Sequence, residues 1–70
     1  MTEMQYCDSS NIEMIGYDAE AMELHVQFLE NPSPYIYMMV PEHVFEEFVQ
    51  APSKGSYLNR VIKGTYEFRR

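Results

Sequence analysis

The chain has 70 residues, a hydrophobic share of 46%, one cysteine and a formal net charge of −6. That length sets a single domain with a small core, and the apolar share is too high for a disordered chain. A lone cysteine excludes an intramolecular disulfide framework, and the longest apolar run, Tyr35 to Val40, is too short to span a bilayer.

The opening MTEMQYCDSS has neither a basic n-region nor an apolar h-region, so a cytoplasmic location without membrane contact is expected. Residues 1–8 are polar and expected to be a flexible N-terminus ahead of one domain over 9–70. The segment NIEMIGY at 11–17 predicts a first strand. Ile12 and Ile15 have opposite parity, so a bulge near Glu13 is needed to bury both. Met22 to Phe28 alternates strictly. Met22, Leu24, Val26 and Phe28 share one face, and Glu23, His25 and Gln27 the other, the pattern of a half-buried antiparallel strand. The stretch LENPSP at 29–34 carries two prolines and predicts a turn. Tyr35 to Val40 (YIYMMV) predicts the third strand.

Pro41 suits the first position of a helix, and Val44, Phe45, Phe48 and Val49 form its apolar stripe. Pro52 ends it. Ser53 is placed to cap a second helix with Tyr57, Leu58, Val61 and Ile62 inward, and Gly64 is placed to close it. The final TYEFRR fits neither helix nor strand by pattern. The predicted fold is therefore α+β: a three-stranded antiparallel meander followed by two short helices packed on one face, in the order β-β-β-α-α.

Charge is divided along the chain. Residues 1–53 hold ten acidic side chains and no Lys or Arg, whereas Lys54, Arg60, Lys63, Arg69 and Arg70 face only Glu67. Such asymmetry predicts an electrostatically polarised surface. Ser53-Lys54-Gly55-Ser56 opens the basic helix and could meet an anion, although capping alone accounts for Ser53. Tyr35 and Tyr37 share strand parity. Exposed, they would stack unpaired bases; buried, they are core. His25, His43 and Cys7 lack the spacing of a metal site, and no nucleophile–base pair can be assembled from the sequence.

The ordered pieces SSNIEMIGYD at 9–18, Leu24-x-Val26-x-Phe28, Tyr35-Ile36-Tyr37, Val40-Pro41, Ala51-Pro52-Ser53-Lys54-Gly55-Ser56-Tyr57-Leu58-Asn59, Ile62 and Tyr66 together resemble the KTSC domain. Members of that family occur at the C-terminus of some lysyl-tRNA synthetases and as small stand-alone bacterial proteins. Where the family usually has a glycine turn before Tyr-x-Tyr, this chain has Asn-Pro-Ser-Pro. The resemblance implies a short domain, with RNA binding suggested mainly by the synthetase context.

The leading expectation is a non-catalytic module that binds single-stranded RNA or another anionic ligand through its C-terminal helix. Its candidate contacts are Ser53, Lys54, Gly55, Asn59, Arg60, Lys63, Tyr35 and Tyr37. No cofactor, metal or catalytic residue is expected. The alternative is an acidic protein-interaction module or inhibitor that binds a basic protein partner.

Overall fold

The computed structural model describes residues 4–7 and 10–69; Ser9, Arg70 and half of the expected N-terminal tail (1–3 and 8) lie outside the described residues. Five strands form one antiparallel sheet in sequential order. They are β1 (Met4–Tyr6), β2 (Ile12–Asp18), β3 (Glu23–Phe28), β4 (Asn31–Tyr37) and β5 (Phe68–Arg69). Helix α1 (Glu42–Gln50) and helix α2 (Lys54–Tyr57), the latter continued by a π-turn (Leu58–Ile62), lie between β4 and β5. The α+β class and the antiparallel meander agree with the sequence reading, but there are five strands rather than three. Met4–Tyr6 pairs with β2 instead of remaining a loose tail, and Phe68–Arg69 pairs with Ile36 and Tyr37.

The register of β2 slips between Ile12 and Met14. The extra residue there turns Ile12 and Ile15 to the same side, and both are fully buried. On β3 the alternation holds for Leu24 and Val26, also fully buried. Met22 precedes the strand, exposed and in the left-handed region (φ 55°).

The LENPSP segment differs from expectation. The turn is confined to Leu29 and Glu30, and both prolines lie within β4. Phe28 pairs with Asn31 and Val26 with Tyr35, so three β4 residues stand opposite Gln27 alone. Proline is tolerated in such a bulge because no ladder hydrogen bond is required of its nitrogen. β5 pairs only with Ile36 and Tyr37, so this half of β4 also lies along an open edge.

One sheet face carries the core. Ile15, Leu24, Val26 and Tyr37 pack with Val44 and Phe48 of α1 and with Tyr57, Leu58 and Ile62. Pro41 is the N-cap of α1 and not its first residue, so the helix begins one position later than predicted, and Ala51 closes it ahead of Pro52. Ser53 caps α2 as predicted, its Oγ accepting the Ser56 N–H at 3.3 Å. The Lys63 N–H reaches back five residues to the Leu58 carbonyl (2.8 Å), which makes the last turn π rather than α. Gly64 has no positive φ and is not a left-handed closing residue.

Two tyrosines tie the layers, Tyr17 half-buried and Tyr57 buried. The Tyr17 hydroxyl donates to the Val40 carbonyl, linking β2 to the approach to α1. The Tyr57 hydroxyl donates to Glu47 Oε1 at 2.8 Å, linking α2 to α1.

Val26→Asp places an unpaired carboxylate at a fully buried position. Against a total stability of about 5 kcal/mol this should abolish the cooperative melt. A native circular dichroism spectrum with an unchanged melt would contradict the register of β3.

Burial, aided by the Glu47 carboxylate, pushes Tyr57 from its ordinary value of 10.0 up to about 12. The neutral phenol is the form the fold favours. Its contribution is complete below pH 10 and is lost as pH rises towards 12. Melting temperature should therefore fall across that interval, and more shallowly in Tyr57→Phe. Parallel declines in the two proteins would contradict this assignment.

Candidate functional site

Two adjoining clefts open beside the basic segment. The larger, of about 600 Å³, lies at the β3–β4 hairpin and is lined by Phe28, Leu29, Glu30, Asn31, Tyr35 and Lys63, with Ser10 and Asn11 at its margin. The smaller, of about 310 Å³, is lined by Pro52, Ser53, Lys54, Gly55, Ser56 and Asn59, again with Ser10 and Asn11. The shared margin makes the two one surface, running from the start of α2 to the end of β3.

The aromatic groups here form a graded row. Phe28 meets Tyr35 edge-on, with ring centroids 5.4 Å apart, and Tyr35 stacks on Phe68 at 5.0 Å. Tyr35 is half-buried, whereas Tyr37, two residues along, is only 1% exposed. Tyr37 is therefore core, not a stacking platform: the helices cover the sheet over Leu24, its cross-strand partner, but stop short of Phe28. Burial, with Tyr35 nearby, pushes the Tyr37 phenol up.

Lys63 is exposed, and its ammonium stands 5.9 Å from the centre of the Phe28 ring, a cation–π distance. Arg60 lines neither cleft; its Nε donates to Ser56 Oγ at 3.2 Å, one turn back. Ser53 is occupied as a cap. A Cβ at Gly55 would meet Asn11 Nδ2 at 3.8 Å, an ordinary contact, so no steric demand for glycine arises there. Lys54, Arg60 and Lys63 take part in no ion pair among the described residues, whereas Arg69 pairs with Glu23 at 3.0 Å.

The sequence brought Ser53, Lys54, Gly55, Asn59, Lys63 and Tyr35 onto this surface. It missed Phe28, read as plain core, and Asn11 and Phe68. Phe28 sits just past a bulge whose position the alternating pattern does not reveal.

Cys7 is half-buried, and burial, partly opposed by Lys54, pushes its thiol up, which keeps it protonated and weakly nucleophilic at neutral pH. Among the described residues no group of three or more His, Cys, Asp or Glu could hold a metal ion. Among the described residues no helix is long and apolar enough to cross a membrane.

The family profile of the KTSC domain matches residues 8–66. A lysine–tRNA ligase of Nostoc punctiforme is 36% identical over 61 residues, 87% of this chain, which spans only 11% of that protein. A protein of Tsukamurella paurometabola is 37% identical over 60 residues, covering 86% of this chain and 88% of its own length. The crystal structure of a KTSC domain protein from Yersinia pestis, 38% identical, superposes with a TM-score of 0.94 over 100% of this chain and 97% of that one. With a profile match across most of its length and a fold shared from end to end with that protein, this chain belongs to the KTSC domain family.

Proposed function

We propose that this domain is a non-catalytic module that binds short single-stranded RNA across the paired clefts. The observation that carries this reading is the Lys63 ammonium 5.9 Å from the Phe28 ring, which itself meets Tyr35 edge-on, on the wall of the 600 Å³ cleft. Single strands are held by that combination of cations for phosphate and π-faces for bases. Lys54 supplies a second cation along the same surface, and Asn59 an amide. A segment similar to the whole domain within lysine–tRNA ligases is consistent with an RNA ligand.

The cation set keeps the footprint short. Ten carboxylates precede residue 54, and Glu30 itself lines the larger cleft, so a long polyanion is repelled beyond a few nucleotides. Phosphate contacts from two lysines, with Arg60 nearby, position a strand without reading its sequence.

Fluorescence-anisotropy titration with a labelled oligouridine checks this. Binding should be modest, and two or three phosphate contacts give a log–log salt slope of about −1.4 to −2. Lys54→Glu with Lys63→Glu should abolish binding without changing the melt, and Arg60→Glu should weaken it less. No binding, or binding that survives the double reversal, would contradict the reading and favour a basic protein partner.

A further inference from the structure

A third cleft shares no lining residue with the paired clefts. It is about 510 Å³ and runs between the outer strand β1 and helix α1. Met4 and Gln5 form part of one wall, Ile15, Tyr17 and Phe45 the floor, and Glu42 and Glu46 the other wall. The floor is apolar, and within it the Tyr17 and Phe45 rings stack at 5.0 Å with an interplanar angle of 13°.

Glu42 and Glu46 are four residues apart on α1, both exposed, and neither forms an ion pair among the described residues. No Lys or Arg precedes residue 54 to neutralise them from nearby chain. The field is felt inside the groove: burial first, then Glu42 and Asp18, push the Tyr17 phenol up.

The backbone beside this groove is also available. β1 ends the sheet order, so its outer side has no strand partner among the described residues. The Cys7 N–H points inward to the Glu13 carbonyl. By alternation the Met4 and Tyr6 N–H groups point outward. Gln5 pairs with buried Ile15 and shares its face, towards α1. Tyr6 therefore stands on the helix-free face, where it is 78% exposed.

We propose that β1 and this groove dock an extended segment of a partner protein in which lysine or arginine alternates with apolar residues. Such a segment adds a sixth strand to the sheet through main-chain pairing. Its basic side chains fall on the α1 face, over the Tyr17–Phe45 floor and within reach of Glu42 and Glu46. Its apolar side chains fall on the other face, beside Tyr6. Charge complementarity selects the occupant: the groove offers two uncompensated carboxylates and no cation. The site is separate from the paired clefts and does not depend on the RNA reading.

The probe is a fluorescein-labelled octapeptide that alternates lysine with valine, titrated into the full chain. Saturable binding is expected, with amide shifts concentrated at residues 4–6 and in α1. Glu42→Gln with Glu46→Gln should weaken it about tenfold. Both residues are exposed, so the melt should hold. N-methylation of alternate peptide amides should weaken binding at unchanged charge, and glutamate in place of lysine should abolish it. Three results would each overturn the proposal: no saturation up to about 1 mM peptide, equal affinity for the double variant, or self-association through β1 without peptide, which would make a second copy the occupant.

Discussion

A short sheet with one face to bury governs this molecule. Ile15, Leu24, Val26 and Tyr37 present a patch that only two helices of this length can cover. Phe48, Tyr57, Leu58 and Ile62 complete that cover over the middle strands. Hydrophobic burial is then largely spent at one interface, as a chain of this size requires. The ends of the same face stay open, and that is where the clefts form. At the β3–β4 end Phe28 and Tyr35 line the open cleft; at the β1–β2 end Tyr17 does, stacked on Phe45 of α1.

The same packing sorts charge. α1 carries Glu42, Glu46 and Glu47 on its outward side, while the segment after Ser53 carries Lys54, Arg60 and Lys63. Because each helix covers a different part of the sheet, the division along the sequence becomes a division in space. Glu47 is an exception with a structural task, since it accepts the Tyr57 hydroxyl between the helices. Tyrosines show how position decides role: Tyr17 and Tyr57 are ties, Tyr37 is filler, and Tyr35 is a wall of the cleft.

Elements with a period were legible in the sequence. The alternation of Leu24 and Val26, the α1 stripe at Val44 and Phe48, and the clash of parity at Ile12 and Ile15 each required one arrangement. The Ser53 cap was legible because its side chain acts locally. Met4–Tyr6 and Phe68–Arg69 were not, because two or three residues cannot display a period; they are strands only because a neighbour offers an edge. Asn31–Pro34 was misread because proline marks a bulge on an open edge as well as a turn. Tyr35 and Tyr37 are indistinguishable by parity, and their different burial depends on where the helices end, which is a tertiary fact. The π-turn at Leu58–Ile62 has no local signal that we can identify.

The central claim is that the surface from Lys54 to Phe28 is one continuous ligand face. Amide chemical-shift mapping of the full chain during titration with single-stranded oligouridine tests it most directly. The account predicts perturbations at Asn11, Phe28, Tyr35, Asn59 and Lys63 that saturate together, with Glu42, Phe45 and Glu46 unmoved. Shifts confined to the helix-free face of the sheet, or separate saturation of the two clefts, would contradict it.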